Sequence, residues 1–240
     1  MGTTSYSDKP KVLMIMHQEA STPGRCGMML EDMGYRLESC KPAIGDTLPE
    51  TLEDYAGAVV FGGPMSANDE DDFIKREIDW MEIPLKENKP FFGICLGAQM
   101  LSKQLGGNVV GREDNYSEIG YYPIRPTNEG QALMDWPDHV YHWHMEGFSL
   151  PEDATLLATG EHYPNQAFRY GEKAFGVQFH SEVTTWMMNR WTTKAYERFA
   201  LPGAQNREEQ FAARPLYDPA VRQWLDTFLH LWIGPAENQA

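Results

Sequence analysis

Pro90-Phe91-Phe92-Gly93-Ile94-Cys95-Leu96-Gly97-Ala98-Gln99 is the stretch on which the reading of this chain turns. A short apolar run, the signature of a buried strand, passes through Gly93 and Cys95 into Leu96 to Leu105, whose apolar spacing is helical and which closes on Gly106-Gly107. Glycines two residues before and two after Cys95 allow a sharp strand-to-helix turn that larger side chains would block. The apex residue projects out of the sheet at a helix N-terminus, where free N–H groups and the helix dipole favour a thiolate. A solitary cysteine in such a run reads more simply as a small apolar core residue. The paired glycines favour the nucleophile.

A thiol nucleophile requires a base, and that base a group that fixes its tautomer. Among the chain's seven histidines, His180 ends the strand-like run Phe175-Gly176-Val177-Gln178-Phe179-His180 and is followed by Ser181-Glu182. Residues two apart in extended chain share a side, so His180 and Glu182 can meet at a strand's C-terminal end, where α/β sheets carry their sites.

Outward from these segments the first half alternates strand and helix. Strands are expected at Val12 to Met16, Tyr35 to Cys40, Ala58 to Phe61 and Pro90 to Ile94. Helices are expected at Pro23 to Met33 and from Asp71 to about Asn88, the latter ended or bent by Pro84 and capped by Asp69-Glu70-Asp71-Asp72. This alternation implies a mostly parallel sheet covered on both faces. The second half is richer in strands: Ile119 to Ile124, His139 to His144, Thr155 to Ala158, and a hairpin of Ala167 to Tyr170 with Ala174 to His180. From Thr184 the pattern turns helical, with Trp186, Met187, Trp191 and Phe199 as apolar contacts. A polar, proline-containing stretch from Leu201 to Pro219 then leads to a final helix burying Val221, Trp224, Leu225, Phe228 and Leu231. The seven tryptophans mostly suit a core.

Composition bounds the partners. A net charge of −15 would repel a phosphate backbone or an anionic lipid, so neither nucleic acid nor membrane is the expected partner. No run reaches the roughly 18 apolar residues of a membrane span. Met1 to Pro10 is polar, without a secretory h-region, and Tyr6 stands where a myristoylation motif needs Ser or Thr. Three cysteines without a CxxC pair fit a reduced, cytoplasmic setting.

Gly93 to Gln99, the upstream Gly62-Gly63-Pro64 and Gly176-Val177-Gln178-Phe179-His180-Ser181-Glu182 together resemble class I, triad-type glutamine amidotransferases, most closely free-standing proteins similar to the glutaminase half of GMP synthase. The resemblance spans roughly residues 10 to 185. It implies a flavodoxin-like three-layer α/β sandwich over 11–185, between a flexible 1–10 and a helical extension, 186–240, packed on the same domain. It also implies a glutamine γ-amide cleaved through a γ-glutamyl thioester. By position, Cys95 is then nucleophile, His180 base and Glu182 orienter. Leu96 N–H and the Gly62-Gly63 loop form the oxyanion hole, and Gln99 lines the substrate pocket.

His142-Trp143-His144-Met145-Glu146 matches the stretch that borders the bound glutamine's α-groups, so Trp143, His144 and Glu146 are expected there as well. Relatives often have Gly-Asp where this chain has Met145-Glu146, which reshapes that end of the pocket. His142 and His144 would need His139 or His162 to hold a metal, and no metal or cofactor is expected. No phosphate-cradling loop for a synthetase occurs, so either a separate synthetase partner exists or the chain acts alone, on glutamine or on γ-glutamyl conjugates. A non-catalytic regulatory subunit is the alternative from another class.

Overall fold

The structure, a computed structural model, describes residues 8–236; residues 1–7 and 237–240 lie outside the described residues. Its first half runs β1 (Lys11–Ile15), α1 (Gly24–Asp32), β2 (Arg36–Cys40), β3 (Tyr55–Val60), α2 (Asp72–Trp80), α3 (Glu82–Lys86), β4 (Phe91–Ile94) and α4 (Leu96–Gln104). Then come β5 (Val109–Gly111), β6 (Glu118–Pro126), α5 (Asn128–Leu133), β7 (His139–His144), β8 (Glu146–Phe148), β9 (Ala154–Gly160), β10 (Ala167–Tyr170) and β11 (Ala174–Val177). Helices α6 (Thr185–Lys194) and α7 (Arg207–Trp232) close the chain.

A nine-stranded sheet has the order β2-β1-β3-β4-β11-β10-β9-β6-β7. Neighbours from β2 to β11 are parallel, and those from β11 to β7 antiparallel. Strand alternation builds the layers. Val12, Met14, Val59, Phe92 and Ile94 face a core completed by α1 and α7, while Leu13, Ile15, Val60 and Phe91 face one completed by α2 and α4. The two central strands thus end their C-terminal tips side by side: β4 delivers Cys95, and β11 leads toward His180.

Five expectations change here. The helix expected over Asp71 to Asn88 breaks at Met81 into α2 and α3. A proline ring collides with the carbonyl four residues back, and four before Pro84 is Trp80, the last residue of α2. Asp71 sits at the cap position of α2 without a side-chain cap bond; Asp69 accepts instead from Ser66 N–H at 2.9 Å.

Leu201 to Pro219 is not loop throughout, because α7 begins at Arg207 and carries Pro215 and Pro219 inside it. Each interior proline costs about 3 kcal/mol. An Asn206–Glu209 capping box starts the helix, Gln210 is buried against Tyr141 Oη at 2.8 Å, and Val221, Trp224, Leu225, Phe228, Leu229 and Trp232 are buried. At roughly 1.5–3 kcal/mol per buried side chain, the apolar face outweighs the prolines. Leu231 points outward, and Leu229 and Trp232 occupy the face instead, because a period of 3.6 from Val221 reaches 225, 228–229 and 232. Trp186 is likewise exposed rather than an apolar contact. Among the described residues, no helix is long and apolar enough to cross a membrane.

Candidate active site

Cys95 has φ 52° and ψ −104°, a conformation that L residues rarely adopt and that stores about 1–3 kcal/mol. The flanking glycines are spatially obligatory. A Cβ on Gly93 would lie 2.7 Å from the Gly97 carbonyl carbon, and one on Gly97 would lie 2.2 Å from Val60 O. The turn is pinned by Cys95 N–H donating to Val177 O at 2.8 Å and by Gln99 N–H donating to Cys95 O at 3.0 Å. Leu96 opens α4, so its N–H has no acceptor within the helix and stands beside the sulfur at the positive end of the dipole.

β11 stops at Val177 rather than continuing to His180. Gln178 N–H turns to Gln166 O and His180 N–H to Tyr141 O, both at 2.8 Å, which carries the chain off the β4 edge. The turn brings His180 Nδ1 to 2.8 Å from Glu182 Oε1. The carboxylate fixes the proton on Nδ1 and leaves Nε2 for the sulfur. Burial alone would lower the pKa of this imidazole, but the charges of Glu182 and Cys95 prevail and raise it. The ring packs edge-on against Trp191 at 4.9 Å between centroids.

The helical tail supports this turn. Arg25 donates from Nη2 to Val183 O and to Asp218 Oδ1 of α7, each at 2.6 Å, and Arg25 N–H donates to Glu182 O at 2.9 Å. Arg214 of α7 adds a bond to Val183 O at 3.1 Å.

The Gly62-Gly63 loop closes the other side. A Cβ on Gly62 would lie 2.7 Å from His180 Cε1 and 3.5 Å from Cys95 Cβ; one on Gly63 would touch Leu96 Cδ2 at 3.0 Å. Gly62→Ala is therefore expected to displace the imidazole and lower kcat by about 100-fold, since misplacing a reacting group by an ångström costs that order. Steady-state kinetics beside a thermal melt that moves by only a few degrees would establish it.

Behind the loop, and missed by sequence reasoning, lies a fully buried pair. His17 Nδ1 donates to Gly62 O at 3.1 Å and Nε2 to Glu77 Oε1 at 2.8 Å. An imidazolium at His17 would satisfy both acceptors. Burial lowers its pKa, and the Glu77 charge and these bonds more than offset that, so the pKa is raised. A raised folded-state pKa stabilises fully below the unfolded value of about 6.5 and is lost as pH rises through the folded value. Glu77→Gln should thus cost about 3 kcal/mol near pH 6, and the gap from wild type should narrow in alkaline buffer, as read by denaturant titration at several pH values.

Gln99 Nε2 donates to Glu146 O at 2.8 Å and to Gln178 Oε1 at 3.2 Å, and Gln178 Nε2 reaches Cys95 Sγ at 3.7 Å. Gln178 was missed; its signal was strand alternation, which puts it on the side of Gly176 and His180. Glu146 contributes its carbonyl to this network. Trp143 lines a cavity of about 440 Å³ with His180, Glu182, Gly62 and Gly63.

His144 lies apart from that cavity. Its Nδ1 donates to Glu146 O at 2.9 Å, and its Nε2 lies 3.1 Å from both His142 Nδ1 and Glu118 Oε2. The third member of this buried cluster is Glu118, not His139, which stacks on Tyr217, or His162, which packs at a tilt against Tyr116. Glu118, His142 and His144 have the donor types for a divalent cation; within the protein, Gln166 Nε2 also donates to Glu118 Oε2 at 3.0 Å. Burial, ahead of the neighbouring charges, lowers the pKa of His142 to about 3.

The profile of the glutamine amidotransferase class-I family matches residues 29–193. The chain is 31% identical over 184 residues to the glutamine amidotransferase-like protein YfeJ of Salmonella typhimurium, across 72% of this chain and 76% of that one. The GMP synthase of a Marinomonas species is 42% identical over 108 residues, a match spanning 40% of this chain and 20% of that enzyme. A glutamine amidotransferase structure from Thermotoga maritima superposes with a TM-score of 0.84 at 33% identity, covering 94% of this chain and 98% of that one. From these matches, in sequence and in fold, it follows that the chain belongs to the class-I glutamine amidotransferases, a family of glutamine-hydrolysing enzymes.

Proposed function

We propose that this protein hydrolyses γ-glutamyl amides through a thioester on Cys95, with His180 as acid and base and Glu182 as its orienter. The observation that carries the reading is a cysteine held at positive φ on a strand-to-helix turn, flanking Gly62 together with an imidazole whose Nδ1 meets a buried carboxylate 2.8 Å away. In this scheme the sulfur attacks the amide carbon, and the oxygen takes the negative charge. Leu96 N–H and an N–H of the Gly62-Gly63 loop would receive that charge, the loop peptide being held by His17. His180 gives its Nε2 proton to the departing nitrogen as the C–N bond breaks; it then takes a proton from the water that cleaves the C–S bond. Gln99 and Gln178 border the acyl side.

Glutamate release from glutamine and from γ-glutamyl amides, followed by a coupled dehydrogenase assay, tests this reading. Turnover by wild type supports it, and failure to release glutamate from any of them refutes it. The match to GMP synthase spans 20% of that enzyme, and a synthetase partner for this chain is a further proposal, tested by co-purification.

A further inference from the structure

The wall of the cavity beside His180 is cationic in a chain whose net charge is −15. Arg190, Lys194 and Arg198 line it, spaced four apart along α6 and the 3-10 turn Tyr196–Ala200 that follows. Among the described residues none of these cations has a carboxylate partner; Arg190 lies over the Trp186 ring at 5.7 Å. The only carboxylate in the lining, Glu182, is committed to His180. Arg190 and Lys194, like charges four apart on α6, repel by a few tenths of a kcal/mol, which a bound anion would relieve. Trp143 and Trp191, half-buried against the core, and the exposed Trp186 add flat apolar surface to the same cavity.

The position says which part of a substrate would enter. In acyl transfer the departing nitrogen lies on the side of the acid that protonates it, and that acid is His180 under the reading above, on which this inference rests. The glutamyl half would turn toward Gln99 and Gln178 from the Gly62-Gly63 edge of the cavity, leaving the side lined by Arg190, Lys194 and Arg198 to the amine. Ammonia would fill one water-sized share, on the order of 30 Å³, of a space of about 440 Å³.

We infer that the preferred substrate is a γ-glutamyl amide whose leaving amine is an amino acid or short peptide, its carboxylate held by Arg190, Lys194 and Arg198 and its side chain by the tryptophans. The reaction balances as a hydrolysis. The C–S bond forms as the C–N bond breaks, the amine leaves with the His180 proton, and water then replaces sulfur to give glutamate.

Glutamate release is measured from glutamine, from γ-glutamyl-phenylalanine and from its C-terminal carboxamide, with wild type, Arg198→Gln and Lys194→Gln. Wild type should favour γ-glutamyl-phenylalanine over both others by tenfold or more in kcat/KM. Each variant should reduce that preference at least fivefold, chiefly through KM. A ratio taken within one variant cancels any loss of folded protein. Equal turnover of glutamine and the two conjugates by wild type, or variants that slow all substrates alike, would overturn the inference and leave the hydrolase standing. Absence of glutamate release from every substrate would remove the hydrolase reading, and this inference with it.

Discussion

Cys95→Ser is expected to lower kcat for glutamate release about ten-thousand-fold or more, with little change in fold. The size follows from the proposed role of Cys95 as nucleophile of an interdependent set, without which only binding and oxyanion donors would continue to accelerate the reaction. The substitution changes one atom in a nearly inaccessible side chain, 5% exposed, and leaves the φ 52° backbone to the same glycine-flanked turn. Serine cannot restore the rate: an alkoxide is far less available than a thiolate from the same imidazole. Cys40→Ser is the matched control. That thiol is directed at Thr47 O at 3.7 Å, and burial ahead of neighbouring acids pushes its pKa up to about 11, so kcat should stay within about twofold.

Glu182→Gln is expected to lower kcat by about a thousand- to ten-thousand-fold while KM changes little. An amide in place of the carboxylate can present its N–H to Nδ1, which drives the imidazole to the tautomer with its proton on Nε2, the wrong one for taking a proton. It also removes the charge that counters burial at His180, so the imidazole pKa falls. The result is distinguishable from simple unfolding. Glu182 O and Val183 O hold Arg25 through the backbone, which the substitution leaves in place. Its second carboxylate oxygen, Oε2, has no hydrogen-bond partner, so the amide displaces no other bond there. Histidine NMR should show the His180 titration moving down in the variant while the secondary-structure spectrum is retained.

The readability of this chain followed the range of the interactions. The elbow is local in its pattern: Gly93, Cys95 and Gly97 lie within five residues, and a Cβ on Gly93 would clash with Gly97 itself, although the clash that forbids one on Gly97 falls on Val60 of β3. The His180–Glu182 pair is two residues apart and equally legible. His17 and Glu77 lie sixty positions apart, and nothing in either neighbourhood announces that β1 and α2 bring them together under Gly62. Glu118 joins His142 and His144 only because β6 and β7 pair in antiparallel register, which places Glu118 opposite His144. Alternation revealed strands in the second half but not their order in the sheet, because that order is set by pairings between strands far apart in the chain, such as β6 with β9. The reading of Leu201 to Pro219 failed because two prolines outweighed the local pattern, whereas burial of a tryptophan and phenylalanine ladder decided the fold. Trp224 and Phe228 stack at 4° between ring planes, and Phe228 and Trp232 at 9°. The row Arg190, Lys194, Arg198 was present in the sequence at helical spacing; its meaning came from the cavity it faces.

The central claim is that one sulfur, and no other, attacks the γ-glutamyl carbon. Incubation with a glutamine-mimicking diazoketone or chloroketone, followed by intact mass and peptide mapping, addresses it directly. One adduct per chain, confined to the peptide bearing Cys95 and lost in His180→Ala, is the predicted result. An adduct on Cys26 or Cys40, or a wild-type chain that takes up no reagent under conditions in which glutamate is released, would contradict it.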